Sequence, residues 1–78
     1  MTDFLTYLAS QIVDKPESVV VAQKPGEMGI TNLELSVDPS DMGRIIGKSG
    51  RIIRAVRDLV RILAVKRNVK VNVLLQEQ

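Results

Sequence analysis

Residues 45–53 of the chain read Ile-Ile-Gly-Lys-Ser-Gly-Arg-Ile-Ile, and they are the most informative part of the sequence. Two glycines, Gly47 and Gly50, enclose two polar residues and are flanked by apolar pairs. A Gly-x-x-Gly turn of this kind, which we call the glycine loop (residues 47–50), ends one helix and precedes the next. It is predicted to leave backbone N–H groups free at the N-terminus of the second helix, where anionic groups can bind.

Helices are predicted on both sides of the glycine loop. Asp38 can cap a short helix that begins at Pro39 and runs to Ile46. Ser49 is a candidate cap for a long helix over residues 50–66. Apolar side chains recur on one side of that long helix, at Ile52, Val56, Leu59, Val60 and Leu63. Basic side chains gather on the opposite side, at Arg54, Arg57 and Arg61.

The remaining segments supply one helix and three strands. Apolar residues at three- and four-residue spacings predict a helix over residues 2–14, capped by Thr2 or Asp3. Strands are predicted over residues 18–23, 30–37 and 69–73, and a turn over residues 24–29 joins the first two as a hairpin. The element order α-β-β-α-α-β predicts a two-layer α+β domain, in which the helices pack on one face of a three-stranded sheet.

The composition limits the kinds of function open to the chain. Its 78 residues suffice for one small domain over residues 1–78. The chain has no cysteine and no histidine, which removes disulfides, thiolate zinc sites and the commonest general base. We therefore expect no enzymatic activity, no metal site and no cofactor. The N-terminus lacks the basic flank of a signal peptide, and no apolar run approaches the ~20 residues that span a bilayer, so we expect a cytoplasmic protein.

Charges are segregated along the chain. The net charge is only +2, but residues 44–70 hold nine of the eleven basic residues and a single acid. This window has a net charge of +8, and the rest of the chain has a net charge of −6. On an ordinary solvated helix face acids and bases usually alternate, and here they do not. The distribution favours a local surface that binds a polyanion, with a solvated helix face as the alternative.

The stretch at residues 45–53 resembles the KH-domain signature, Val/Ile-Ile-Gly-x-x-Gly-x-x-Ile. Over essentially the whole chain the element order resembles the bacterial (type II) KH fold. The chain length and the Asp-Pro-Ser-Asp-Met-Gly lead-in at residues 38–43 resemble the small stand-alone KhpA family. The resemblance implies a single-stranded RNA-binding protein whose glycine loop clamps the backbone of about four nucleotides. It also implies a homodimer, a larger KH-containing partner of the Jag/KhpB type, and an RNA chaperone role in cell elongation and envelope homeostasis, and hence in cell shape and cell wall biogenesis.

The resemblance assigns RNA-backbone contacts to the loop and its neighbours. Gly47 and Gly50 keep the loop free of Cβ atoms, and Lys48 supplies charge at a phosphate. Ser49 either offers a hydroxyl or merely caps the following helix. Basic residues beside the loop are expected to meet neighbouring phosphates: Arg51, Arg54 and Arg44.

Bases are expected in an apolar groove rather than on aromatic side chains. The resemblance gives Ile45, Ile46 and Ile53 as its candidate lining, with core packing as the alternative for each. Ile53 lies at the edge of the apolar side of its helix, where a groove or a subunit contact competes with core packing, and Ile46 is expected in the core. One Phe, one Tyr and no Trp argue against RRM, OB-fold and cold-shock modules, which stack bases on aromatic rings.

Two other interpretations fit parts of the pattern. Gly47-Lys48-Ser49 ends like the Walker A motif of a P-loop nucleotide binder, but that motif has four residues between its glycines, and Gly43 to Gly47 leaves three. The segment before the loop is also predicted as a helix rather than a strand. The other interpretation is a protein-interaction module of KH shape in which RNA binding is secondary. Degenerate KH domains often lose the glycine loop or its charge, and this chain keeps both.

Overall fold

The computed structural model describes residues 1–77, and its main elements follow the predicted order α-β-β-α-α-β. The helices are α1 (Thr2–Ile12), α2 (Met42–Ile46) and α3 (Arg51–Lys66). The strands are β1 (Val20–Pro25), β2 (Thr31–Val37) and β3 (Val71–Glu77). Short 3-10 turns lie at Pro16–Ser18, Glu27–Gly29, Pro39–Asp41 and Lys48–Gly50. This order confirms the predicted α+β class and is that of the type II KH fold.

The three strands form one mixed sheet with β2 at its centre. β1 and β2 pair in antiparallel fashion, with Ala22 opposite Glu34, and the N–H of Gly26 donates to the carbonyl oxygen of Ile30 at 2.7 Å to close the hairpin. β2 and β3 pair in parallel. Parallel neighbours need a long crossover connection. Here α2, the glycine loop and α3 form that connection, so the loop lies at the turn between its two helices.

Alternation along β2 divides the sheet into two faces. Leu33, Leu35 and Val37 are fully buried, whereas the residues between them are only partly buried. The buried side chains join one core with residues of α1, α2 and α3. The helices therefore cover one face of the sheet, as predicted.

The strand boundaries differ by up to two residues from the predicted ones at the start of each strand. β1 begins at Val20 because the 3-10 turn Pro16–Ser18 occupies the predicted start, and it continues to Pro25, which an edge strand tolerates. β2 begins at Thr31 and β3 at Val71. These shifts leave the two-residue alternation of β2 unchanged.

The ends of α1 also differ from the prediction. Met1 occupies the N-cap position and no side chain caps the helix, so the assignment of Thr2 or Asp3 as the cap is wrong. The helix ends at Ile12 rather than at residue 14, because Val13 is already extended. Tertiary contacts stabilise this helix without a capping side chain, since Leu5 and Ala9 are fully buried in the core.

The buried side of α3 is rotated relative to the predicted one. Core-facing residues recur at spacings of three and four: Ile53, Val56, Val60 and Ala64. The prediction placed Ile52 and Leu59 on the buried side, but they are 36% and 46% exposed. Apolar residues occupy more than one side of α3, so periodicity alone fits two orientations. Packing against the sheet selects the orientation that buries Ile53.

Asp38 caps the helical segment after β2, as predicted. Its carboxylate accepts the backbone N–H of Ser40 at 2.9 Å, and Pro39 occupies the first position of the turn. Hydrogen bonds from the hydroxyl and the backbone N–H of Ser40, together with the charge of Lys15, lower the pKa of Asp38. The cap starts the 3-10 turn Pro39–Asp41, and α2 itself begins at Met42.

Asp41 joins the end of α1 to the start of α2. Its side chain is buried, with 1% of its surface exposed. Its two carboxylate oxygens accept the backbone N–H groups of Asp14 and Lys15, each at 3.0 Å. The guanidinium of Arg44 lies 3.5 Å from one of these oxygens. A buried carboxylate needs such partners, and no local pattern in the sequence predicts the burial of Asp41.

We expect Asp41→Asn to lower the free energy of unfolding by about 2–3 kcal/mol, because a buried acceptor of two N–H groups becomes an amide with only one acceptor oxygen. Urea titration followed by circular dichroism measures the change. Asp58→Asn is the matched control, since Asp58 is exposed and pairs with Arg61 at 3.5 Å. Its effect should stay below about 1 kcal/mol. Equal losses in both variants would contradict the role given to Asp41.

Candidate nucleic-acid interface

The glycine loop has a tightly turned backbone. α2 ends where the N–H of Gly47 donates to the carbonyl oxygen of Gly43 at 3.0 Å. The N–H of Gly50 then donates to the carbonyl oxygen of Gly47 at 3.1 Å. Gly47, Ser49 and Gly50 have φ angles of +76°, +56° and +74°. L-residues rarely adopt such angles, which explains glycine at two of the three positions.

The free donors of the loop are the N–H groups of Lys48 and Ser49. Neither donates to a backbone acceptor among the residues that the structure describes. Successive N–H groups in a turn that includes left-handed residues form a concave site for an anion. The prediction placed the free donors at the start of the second helix, but the N–H of Arg51 is bonded to the carbonyl oxygen of Lys48. The free donors therefore lie in the loop itself.

The two glycines have different roles. A Cβ atom on Gly47 would lie 2.5 Å from Cγ1 of Ile52 and 2.8 Å from its Cβ. A Cβ atom on Gly50 would meet nothing within 4 Å. Gly47 is therefore required by packing as well as by its φ angle, whereas Gly50 leaves the surface of the loop open. Only Gly50 has the open approach that was predicted for both.

Ser49 does not cap α3. The residue at the N-cap position is Gly50, and no side chain forms a capping hydrogen bond there. The left-handed backbone of Ser49 places it within the turn instead. Of the two interpretations left open by the sequence, the capping one is wrong, and the exposed hydroxyl remains a predicted contact.

Three basic side chains around the loop are exposed and carry no ion pair with the side chains of residues 1–76: Lys48, Arg51 and Arg54. Arg44 differs from them. Its guanidinium lies 2.8 Å from the carboxylate of Asp14 and 3.5 Å from that of Asp41. A phosphate would have to compete with two carboxylates for Arg44, whereas the other three cations are available.

The isoleucines near the loop are arranged differently from the prediction. Ile45 is fully buried and Ile53 is 6% exposed, so both belong to the core. Their assignment as groove lining is wrong in this structure. Ile46 is 36% exposed and not buried as predicted. Of the three signature isoleucines, Ile45 and Ile53 anchor α2 and α3 to the core, whereas Ile46 reaches the surface. Ile52, which is not a signature position, also reaches the surface.

A cleft of about 280 Å³ lies between α3 and β3, lined by Arg57, Arg61 and residues 71–74. Arg54 lies one turn nearer to the glycine loop on the same side of α3, at a spacing of three residues from Arg57. We call Arg54, Arg57 and Arg61 the basic face. Arg57 and Arg61 were not among the predicted site residues. Their spacings of three and seven residues from Arg54 place them on the same side of the helix, which could have identified them from the sequence.

Arg57 ties α3 to the free edge of the sheet. Its Nε donates to the carbonyl oxygen of Val73 at 3.1 Å. The carbonyl oxygen of Lys70 accepts a hydrogen bond from the N–H of Thr31, so the backbone groups of Lys70 point towards β2. Because the backbone groups of alternate residues point to the same side of a strand, those of Val73 point to the outer edge. Arg57 therefore occupies an acceptor that β2 does not use.

Comparison with known proteins identifies the family of the chain. A family model described as "KhpA/KhpB, KH domain" matches residues 2–75. The chain belongs to the KhpA/KhpB KH-domain family. Among its relatives, the "RNA-binding protein KhpA" of Clostridium perfringens is 48% identical over 71 residues, covering 91% of this chain and 93% of the relative. The "RNA-binding protein KhpA" of Chlamydia trachomatis is 42% identical over 78 residues, covering 100% and 99%.

Solved structures share the fold of this KhpA/KhpB family member. Crystal structures of Era, one of the Aquifex aeolicus protein bound to GDP·AlF4⁻ and one with MgGDPNP and nucleotides 1506–1542 of 16S ribosomal RNA, superpose with a TM-score of 0.64. Each is 22% identical and covers 97% of this chain but only 29% of the Era chain. At this identity the likeness shows a common fold.

Within residues 1–76, no three acidic side chains lie close enough together to hold a metal ion. None of the helices in that range combines the length and the apolarity needed to cross a bilayer.

Alanine substitutions at the two glycines of the glycine loop should lower the stability of the domain by different amounts. Gly47→Ala combines a backbone conformation that only glycine tolerates with a close contact on Ile52, so we expect it to lower the free energy of unfolding by about 2–4 kcal/mol. Gly50→Ala meets only the left-handed penalty of about 1–2 kcal/mol. Thermal and urea unfolding measure both, and an equal or larger loss for Gly50→Ala would refute this assignment.

Proposed function

We propose that residues 1–78 act as one KH domain that binds single-stranded RNA, with the sugar-phosphate backbone held at the glycine loop. The observation that carries the proposal is the pair of free N–H groups at Lys48 and Ser49, beside the open side of Gly50. The unpaired cations Lys48 and Arg51 add charge at the same place. The printed names of the relatives, which call them RNA-binding proteins, support this proposal.

The strand is proposed to continue from the loop along the basic face towards the cleft beside β3. Single-stranded RNA is recognised by backbone contacts combined with hydrogen bonds to unstacked bases. Arg54 supplies the next phosphate contact, and Arg57 and Arg61 border the space for bases. Exposed Ile46 and the outer edge of β3 replace the buried Ile45 and Ile53 as the groove surface.

Binding rather than catalysis is the proposed activity. The chain has no histidine or cysteine to serve as a base or nucleophile. The nucleotide-binding alternative lacks support, because the Gly-Lys-Ser sequence follows the helix α2, whereas a P-loop follows a strand. By family resemblance we further propose a cytoplasmic RNA chaperone that acts with a Jag/KhpB-like partner in cell elongation and envelope homeostasis.

Self-association is the second proposal, and an exposed surface of α3 favours it. Ile52, Ala55, Leu59 and Ile62 recur at spacings of three, four and three residues, and all are exposed. We call these four residues the apolar stripe. An exposed apolar surface of this kind typically marks a protein contact. The stripe supports a homodimer, or a heteromer with a larger KH-containing protein, and it replaces Ile53 as the predicted subunit contact.

Lys48→Asp combined with Ser49→Asp should abolish RNA binding, because two carboxylates replace a cation and a hydroxyl at the phosphate site. Asp tolerates the left-handed backbone at Ser49, so the fold should persist. Gel-shift titration with single-stranded RNA measures the loss.

The matched control is Asn68→Asp combined with Lys70→Asp. It makes the same change in net charge, and Asn68 has a φ of +57° against +56° for Ser49. It lies beyond the far end of α3, whose 16 residues span about 24 Å. We expect its affinity to stay within about threefold of wild type. Equal affinity of the loop variant and the control would place the site elsewhere.

Salt dependence tests the phosphate contacts of the wild-type protein. Each contact on a single strand contributes about −0.7 to the slope of log K against log salt concentration. Three to five contacts predict a slope of about −2 to −3.5. A salt-independent affinity would contradict backbone binding.

Ile62→Asp should keep the protein monomeric, because a carboxylate cannot be buried in an apolar contact without a partner. Ile62 is 66% exposed, so the substitution should leave the fold intact. Sedimentation at high micromolar concentration measures the oligomeric state. Val20→Asp, at a 54% exposed residue of β1, is the control and should associate as the wild type does. A wild-type protein that is monomeric at every concentration and binds no KH-containing partner would overturn the proposal.

A further inference from the structure

Ile52 is the side chain that supports the glycine loop on its closed side. The three heavy atoms nearest to the position of a Cβ on Gly47 all belong to Ile52, at 2.5, 2.8 and 2.9 Å. These distances mean that the Ile52 side chain fills the space that any other residue at position 47 would need. An RNA phosphate therefore cannot approach Gly47 from this side.

Gly47 needs such support because glycine has the greatest backbone freedom of any residue. Two hydrogen bonds limit it, from its N–H to Gly43 and from Gly50 to its carbonyl oxygen. The ψ angle of Gly47, 174°, sets the plane of the next peptide unit, which carries the N–H of Lys48. A rotation at Gly47 would turn that donor away from its present direction. The contact with Ile52 is the side-chain constraint on this rotation.

The position of Ile52 makes it a stiff support. It is the second residue of α3, and the next residue, Ile53, is anchored in the core. A β-branched side chain in a helix has one strongly preferred rotamer. Ile52 is itself 36% exposed and is not part of the buried core. The packing of Ile52 therefore affects the conformation of the glycine loop more than the stability of the domain.

We propose that Ile52 is a positioning residue for RNA binding, which holds Gly47 so that the N–H groups of Lys48 and Ser49 face the phosphate. This inference rests on the proposed function of the glycine loop. It adds a residue outside the Gly-x-x-Gly sequence that makes no contact with the phosphate itself. The chemistry it requires is apolar volume branched at Cβ, adjacent to the loop.

The test compares Ile52→Ala with Ile52→Val and Leu59→Ala. The RNA is a single strand of about six nucleotides, which is short enough to occupy one glycine loop, so that self-association does not enter the measured affinity. We expect Ile52→Ala to bind RNA five- to twentyfold more weakly than wild type. A loss of this size corresponds to about one or two displaced phosphate contacts. Its salt slope should be smaller in magnitude by about 0.7–1.4.

The two other variants separate positioning from general stability. Ile52→Val keeps the β-branch and the γ carbons beside Gly47, so its affinity and salt slope should return to within twofold of wild type. Leu59→Ala removes a similar apolar volume from the same apolar stripe, seven residues along α3, and should also stay within twofold. In amide NMR spectra, the Lys48 and Ser49 signals should move in Ile52→Ala and stay in place in Leu59→Ala.

The outcomes distinguish this inference from the function on which it rests. In one outcome, the wild type binds RNA, the Lys48→Asp, Ser49→Asp double variant does not, and Ile52→Ala binds with wild-type affinity and salt slope. The glycine loop is then the binding site, and the role of Ile52 is refuted. If Ile52→Ala shows a lower active fraction in stoichiometric titration but unchanged affinity, its role is structural and the inference is refuted as well. If the Lys48→Asp, Ser49→Asp variant binds like wild type, the proposed function itself is overturned.

Discussion

The backbone turn at the glycine loop sets the path of the chain between its two crossover helices. Gly47 holds a φ of +76° with a ψ of 174°, so that the chain leaves α2, of five residues, and enters α3, of 16 residues. A helix as short as α2 is not stable by itself. Its position comes from Ile45 in the core and from Asp41, which binds the end of α1. Held in this way, the crossover brings β3 alongside β2 in parallel.

Lys48 and Arg51 place unneutralised positive charge at the same turn, in contrast to several cations elsewhere in the fold. Outside the loop, Lys15, Lys24 and Arg44 each have a carboxylate within 4 Å. Lys48 and Arg51 have none within the part of the chain that the structure describes. The net charge of +2 therefore understates the field at the loop. A phosphate would meet available cations and free N–H groups at one place, which is a stronger basis for recognition than net charge.

Local rules in the sequence predicted the features that depend on neighbouring residues. The Asp38 cap, the end of α2 at Gly47 and the alternation of β2 can all be predicted from residue types within a few positions along the chain. The burial of Asp41 could not be predicted, because its partners lie 26 and 27 residues away. The choice between Ile52 and Ile53 as the buried residue of α3 failed for a related reason. Both fit an apolar periodicity, and only packing against the sheet distinguishes them.

The chain shares its fold with Era at 22% identity, and a common fold does not specify what a surface binds. The particular function of this chain must come from the side chains around the loop. Lys48 belongs to the loop alone, and Leu59 and Ile62 belong to the apolar stripe alone. Ile52 belongs to both, because one part of its surface packs on Gly47 and another part is exposed on the stripe. A protein that covers the stripe would therefore contact the side chain that supports the loop. Substitutions at Leu59 or Ile62 change the stripe without changing the loop, whereas a substitution at Ile52 changes both surfaces.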